Sequence, residues 1–416
     1  MEVVFLFVMV IGLMLIGVPI AVSLGMSSIL FLLLLSDTSL ASIAQTFFQA
    51  MAGHYTLLAI PFFILASSFM STGGVAKRII RFSIALVGHF HGGLAIAGVF
   101  ACMLFAALSG SSPATVVAIG SIVIAGMRQV GYSKDFAAGV IANAGTLGIL
   151  IPPSIVMVVY ASATDVSVGR MFLAGVIPGL MAGTMLMVTI YIIARIRALP
   201  KGEWKGWGEV FESGAEAGWG LFLIVIILGG IYGGIFTATE AAAVCVVSAT
   251  LIGFVQRKLD WAGLWAAVKE TCVQTSAIFL IAASAKIFVA FVALTGVAGT
   301  IVGFVSDAQM SLVVLMLCIA LIYLLLGMFL DPIGIMVLTL PLMIPLVESY
   351  DLNLIWFGVV VIKLLEIGLI TPPVGLNVFV IANVVGREAP IDKMFAGITR
   401  FLSVDFIVLI LIMSFP

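Results

Sequence analysis

Two proline pairs interrupt apolar runs of the chain, in Gly148-Ile149-Leu150-Ile151-Pro152-Pro153 and, in the second half, in Gly368-Leu369-Ile370-Thr371-Pro372-Pro373. Proline has no backbone N–H and its ring clashes with the carbonyl four residues back, so both runs must unwind and leave carbonyl oxygens without helical donors. Inside a membrane such backbone is tolerated only where protein buries it or where it lines a cavity. Around the first break the chain offers the hydroxyls of Ser109, Ser111 and Ser112 with carbonyls near Gly148, Ile151 and Pro152. Around the second it offers Gly327, Asp331, Gly368, Thr371 and Val374. Hydroxyls and carbonyls without surplus charge suit a small hard cation such as sodium. Half-helices starting after Pro113, Pro153, Pro332 and Pro373 point partial positive charge into the same space, which favours a carboxylate-bearing ligand. Ser111, Asp331, Asn143 and Asn377 are the candidate residues for that ligand.

The elements that position these residues are membrane helices. Of 416 residues 63% are hydrophobic and 9% charged, against about 25% charged in an average globular chain, so the expected fold class is an all-α polytopic membrane protein. Apolar runs leave room for about a dozen crossings plus hairpins. The net charge of -1 and the lack of basic runs exclude nucleic acid as a partner. Cys102, Cys245, Cys272 and Cys318 stand alone in apolar stretches, and His54, His89 and His91 lack metal-ligand spacing. No cofactor is expected, and no metal beyond sodium. The start, Met1-Glu2-Val3-Val4, lacks the basic region of a signal peptide, so the first apolar run should remain as a helix.

A polar stretch from Arg195 to Gly218, carrying Trp204 and Trp207, reads as an interfacial linker between halves at 1–200 and 219–416, with the connector at 201–218. The halves align: Gly17 matches Gly234, Pro113 matches Pro332, Gly139 matches Gly358, and the proline pairs match after one inserted residue. Cationic loops stay cytoplasmic. Lys77, Arg78 and Arg81 therefore mark an inside loop, whereas its counterpart from Thr295 to Gln309 has no lysine or arginine, so the repeat reads as inverted. Arg128, Lys134, Arg195, Arg197, Lys201, Lys205, Arg257, Lys258, Arg387 and Lys393 follow the same scheme, and Arg170 breaks it. Short apolar arms joined by Ser109-Gly110-Ser111-Ser112-Pro113 and by Gly327-Met328-Phe329-Leu330-Asp331-Pro332 predict re-entrant hairpins at about 94–127 and 311–347. The broken helices are expected at about 136–162 and 354–385.

Taken singly, Ser-Gly-Ser-Ser could be a packing patch and a proline pair a simple kink. Their recurrence in both halves favours a site. Among intramembrane charges, which default to functional roles, Asp331 at a hairpin tip is the strongest case. Glu240 could cap the helix after Thr237, Lys363 and Glu366 could pair on one helix face, and Lys286 could be functional or snorkelling. An ion channel would normally build its filter from symmetric subunits, and the sets an intramembrane hydrolase needs are missing. The chain is therefore not read as an enzyme.

Several stretches resemble the large membrane subunit of tripartite ATP-independent periplasmic (TRAP) transporters. They are Ile60-Pro61-Phe62-Phe63-Ile64-Leu65, Leu108 to Ser112, Gly131-Tyr132, Gly148 to Ser154, Gly234 to Ala242, and Thr371-Pro372-Pro373-Val374-Gly375. Ala238 departs from the family, which often has proline there. The resemblance implies a sodium-coupled, elevator-type importer of organic acids in the bacterial inner membrane. It also implies a soluble periplasmic binding protein and a small four-helix membrane subunit, expected here as a separate chain. Helices around 3–35 and 219–255 would form the scaffold. The family's two sodium sites carry over onto Ser109, Gly148, Ile151 and Pro152, and onto Gly327, Gly368, Thr371 and Val374, with Asp331 near the substrate. The stretches from Ala50 to Thr56 and from Thr72 to Arg78 are most similar to the branch importing four-carbon dicarboxylates, with sialic acid or another sugar acid as the alternative.

Overall fold

The computed structural model describes residues 2–35, 39–52, 55–72, 74–385 and 390–415; His54, Gly73 and Arg387 lie outside them. The first half runs α1 (Glu2–Leu15), α2 (Ile20–Leu35), α3 (Leu40–Ala52), a 3-10 turn (Tyr55–Leu58), α4 (Ala59–Thr72), α5 (Val75–Val87), α6 (Gly93–Ser109), α7 (Ser112–Gln129), α8 (Lys134–Leu150), α9 (Ile155–Thr164) and α10 (Val168–Ile196). The second runs α11 (Trp207–Tyr232), α12 (Ala238–Val255), α13 (Trp261–Thr295), α14 (Val297–Asp307), α15 (Leu312–Gly327), α16 (Pro332–Ser349), α17 (Leu354–Gly368), α18 (Leu376–Val385) and α19 (Ile391–Ser414). The order recurs helix for helix, except that the bent pair α3 and α4 is answered by the single long α13. Among the described residues there is no strand, only an isolated bridge between His91 and Lys201.

Among the described residues seven helical stretches, one of them α8 and α9 taken together, are long and apolar enough to cross a membrane, or up to eight if α3 and the 3-10 turn with α4, which meet at a 58° bend, are one span. This is fewer than the dozen crossings, hairpins apart, that run lengths suggest, because several apolar runs, including α1, α2 and α14, are short helices. Proline sets where the helices begin: Pro113 and Pro332 lie in the first turns of α7 and α16, where a missing N–H costs no helical bond.

The basic segment taken for an inside loop is helix α5, with Val75, Ala76, Ile79 and Ile80 buried. Its Arg81 meets Glu209 and Glu212 at 3.1 Å each, together with Glu216, all on α11. The three acids hold the Arg81 guanidinium above its ordinary value, Glu216 most of all. Helix α11 begins at Trp207, within the stretch 201–218 read as the connector, and carries the three acids that meet Arg81. Thr237 and Glu240 form a reciprocal capping box at α12, with Glu240 Oε2 accepting from the Thr237 N–H at 2.8 Å.

The broken helices occupy the centre. Every residue of α8 from Phe136 to Leu150 is buried, and so is α17 from Phe357 to Gly368. The hairpin arms α6 and α7 pack on α8, α15 packs on α17, and α19 lies against both broken helices. Helices α11, α12 and α13 instead expose Phe222, Val247, Leu251, Trp261 and Val273, a surface made for lipid.

Helices α8 and α19 touch through glycines: a Cβ on Gly139 would lie 2.7 Å from the Gly397 carbonyl carbon. Gly139→Ala should therefore cost about 1–3 kcal/mol of stability through overpacking. Gly299→Ala, which meets nothing within 4 Å, should be neutral or slightly stabilising. Thermal unfolding in detergent distinguishes them, and equal melting temperatures would contradict this packing.

Candidate functional site

The two breaks are built alike. Each proline pair, Pro152-Pro153 and Pro372-Pro373, contains a cis peptide bond. Because a helical N–H serves the carbonyl four residues earlier, the pairs strip Gly148 and Ile149 in α8 and Gly368 and Leu369 at the end of α17. In the first half Ser154 Oγ donates to the Ile149 carbonyl at 2.7 Å and also accepts from the Met157 N–H as the N-cap of α9. The Gly148 carbonyl receives no hydrogen bond among the described residues. In the second half the Asn377 N–H covers Leu369 at 3.0 Å and the Thr371 N–H covers Gly368 at 3.1 Å. Thr371 Oγ1 itself donates to the Ile367 carbonyl at 2.6 Å.

The turn of each hairpin lies on a break. The Ile155 N–H donates to the Gly110 carbonyl at 3.2 Å, and the Gly375 N–H to that of Met328 at 3.4 Å. A Cβ on Gly148 would sit 2.7 Å from the Ser111 carbonyl oxygen, and one on Gly368 2.6 Å from the Gly327 Cα. Only glycine admits these approaches. Ser109 Oγ lies 2.8 Å from Thr115 Oγ1, beside the Ser111 carbonyl.

A cavity of about 350 Å³ collects both tips. Ser109 to Ala114 line it from the first hairpin, Asp331 to Ile333 from the second, Ile149, Ile155 and Val156 from beside the first break, and Leu369 and Leu376 from beside the second. The N-termini of α7, α9, α16 and α18 therefore abut one space. Ser111 is the extended N-cap of α7 and makes no side-chain cap bond, whereas Asp331 accepts from the Gly334 N–H at 3.0 Å. The remaining wall comes from α4 (Ile64, Ser67, Ser68) and α13 (Glu270, Gln274, Ile278). Among the described residues two carboxylates, Glu270 and Asp331, and no basic residue line the cavity.

The residues match the family model of the tripartite ATP-independent periplasmic transporter DctM component from 7 to 416. The chain belongs to the DctM family. It is 56% identical over 405 residues to the C4-dicarboxylate TRAP transporter large permease protein DctM of Vibrio cholerae, covering 92% of this chain and 89% of the relative. The Pseudomonas aeruginosa protein of the same name is 47% identical over 395 residues, covering 95% and 92%. The sialic acid TRAP transporter large permease protein SiaM of Vibrio cholerae is 35% identical, covering 97% and 94%. The Alcanivorax borkumensis YdaH transporter shares the fold, with a TM-score of 0.64 at 13% identity over 91% of this chain and 89% of that one.

Within this DctM-family chain Ser109, Ser111, Ser112 and Asp331 line the cavity, and Gly148, Gly327 and Gly368 form the close approaches behind it. Ile151, Pro152 and Val374 lie along the breaks. Asn377 is behind the tip: its Nδ2 donates to Ser112 Oγ at 2.7 Å, tying the second broken helix to the first hairpin. Asn143 does not face the cavity. Its carboxamide is buried against Asp405 of α19, since a buried carboxylate needs donors and α8 supplies one. Lys286 lines a separate cavity of about 130 Å³ with Ser162, Val337 and Pro341. Sequence reasoning missed Glu270 and Gln274; their signal is an i, i+4 polar pair in an apolar helix, Gln274 Nε2 donating to Glu270 at 3.1 Å.

Ser154→Ala should leave the Ile149 carbonyl without a donor and cost about 1–3 kcal/mol, while Ser154→Thr should retain most of the stability. A Ser154→Ala protein that melts with the wild type would contradict the role given to this hydroxyl.

Proposed function

We propose that the chain is the permease of a C4-dicarboxylate importer of the bacterial inner membrane, coupled to sodium. The observation that carries this reading is a cavity made by both hairpin tips and both breaks, in a chain 56% identical to a C4-dicarboxylate permease. The binding protein and a small membrane subunit, as a separate chain, are the proposed partners; the former delivers the substrate and the latter supports the scaffold.

The geometry supports the chemistry as follows. Four helix N-termini bring partial positive charge to the carboxylates of a dianion, and α7, whose N-cap Ser111 makes no side-chain cap bond, has N–H groups to offer. Glu270 and Asp331 oppose a dianion, and among the described residues no basic side chain lines the cavity to offset them. Cations must supply the balance, which makes substrate entry conditional on sodium. One sodium is assigned to Gly148, Ile151 and Pro152 with the hydroxyls of Ser109 and Ser112. A second is assigned to Gly327, Gly368, Thr371 and Val374. In this reading the halves are oppositely oriented, α6 to α10 and α15 to α19 move as one unit, and α4 and α13 form the wall they move along.

Reconstituted uptake of succinate should require a sodium gradient, the small subunit and the binding protein together. Ser109→Ala and Thr371→Ala should each raise the sodium concentration for half-maximal uptake about fivefold, as loss of one ligand worth about 1 kcal/mol implies. Sodium-independent uptake or unitary currents would overturn the reading, and uptake of sialic acid in place of succinate would overturn the substrate alone.

A further inference from the structure

The second cavity, of about 130 Å³, lies farther along the seam that holds the first. Helix α13 gives Glu270, Gln274 and Ile278 to the first cavity and Ala282, Lys286 and Val289 to the second. These residues stand three or four apart, so they form one continuous stripe. The helices opposite run past both cavities as well: α9 turns from Val156 at the first to Ser162 at the second, and α16 from Ile333 to Val337. Lys286 stands about 18 Å beyond Gln274 along α13, at about 1.5 Å per residue.

The stripe carries opposite charges. Glu270 faces the first cavity. Among the described residues lining the second, Lys286 is the only charged one and Ser162 the only other polar one. The Lys286 ammonium makes no ion pair and no hydrogen bond among the described residues. Snorkelling does not relieve it, because Ile287 to Leu294 follow without a polar residue. The end of α13 at Thr295 is about 13 Å away by helical rise, farther than a lysine side chain reaches. An unpaired cation among apolar side chains is costly, and in a membrane protein it marks a ligand path by default.

The repeat relates the two cavities. Counted from the matches of Gly17 with Gly234 and of Pro113 with Pro332, Ser67 and Ser68 of α4 correspond to the stretch 284–287, which contains Lys286. Ser67 and Ser68 line the first cavity and Lys286 the second. Equivalent stretches of the two walls therefore face different cavities.

We propose that Lys286 is the anchor for a substrate carboxylate at the outer end of the path. Arg257 and Lys258 mark the start of α13 as its inner end, so an entering dianion meets Lys286 before Glu270. Both charges are fixed to the wall, while the hairpin tips carry the ligand past them. The helix N-termini travel with the ligand and favour it equally at both stations, so the difference in affinity comes from the wall. Attraction at Lys286 favours loading, and repulsion at Glu270 favours release inside. This assignment rests on the reading of the chain as a carboxylate importer.

The test is uptake into proteoliposomes that hold the chain with its small subunit, driven by a sodium gradient and supplied by succinate-loaded binding protein. In Lys286→Met and Lys286→Gln the concentration of loaded binding protein for half-maximal uptake should rise about tenfold, as loss of one charge-assisted hydrogen bond implies. Lys286→Arg keeps the charge and should stay within about threefold of the wild type. Both neutral variants should melt within about 3 °C of the wild type or above it, because no bond of Lys286 is lost. Unchanged uptake in either neutral variant would overturn the proposal, and so would a loss that Lys286→Arg shares in full. Failure of both neutral variants to fold would make Lys286 a structural cation and overturn it as well. A wild type that imports sialic acid in place of succinate fails the substrate reading alone. Sialic acid then supplies the carboxylate, and the same variants decide.

Discussion

Four missing N–H groups organise this molecule. Pro152, Pro153, Pro372 and Pro373 remove the donors for Gly148, Ile149, Gly368 and Leu369 in the centre of a lipid-embedded bundle, where an unpartnered carbonyl costs several kcal/mol. Each surrounding feature answers that constraint. The first parts of the broken helices, α8 and α17, are buried almost throughout, the hairpins turn back onto them, and glycines at 148, 327 and 368 let main chain approach main chain.

The halves answer it differently. In the second, main-chain N–H groups of Thr371 and Asn377 cover both stripped carbonyls; in the first, the Ser154 hydroxyl covers Ile149 and Gly148 has no donor among the described residues. The two proposed cation sites are therefore not chemical copies. The first has a bare main-chain oxygen with both lone pairs available, whereas the second must use the second lone pair of an occupied carbonyl or the Thr371 hydroxyl. Unequal affinities for the two ions follow, and unequal affinities give an order of binding. In the proposed coupling the cavity has a part as well, because Glu270 and Asp331 would make a dianion unwelcome until positive charge has arrived.

Local punctuation carried most of what was legible in the sequence. Proline pairs located the breaks, and Ser-Gly-Ser-Ser-Pro and Asp-Pro located turns that the structure places at one cavity. What failed to show depends on distant partners. Asp405 is a single acid in an apolar terminal helix, and its donors Asn143 and Lys363 lie on two other helices. Asn143 looked like a ligand residue because a carboxamide near a break has no local partner. The basic segment containing Lys77, Arg78 and Arg81 looked like a loop because the three acids that fix it as a helix lie across the linker, on α11.

The central claim is that a proline-stripped carbonyl binds the coupling ion. Structures of the transporter complex determined in sodium and in choline test it at one atom. Density bonded to the Gly148 carbonyl in sodium and absent in choline is the predicted result. A Gly148 carbonyl with the same surroundings in both salts, in protein whose uptake still responds to sodium, would contradict the account.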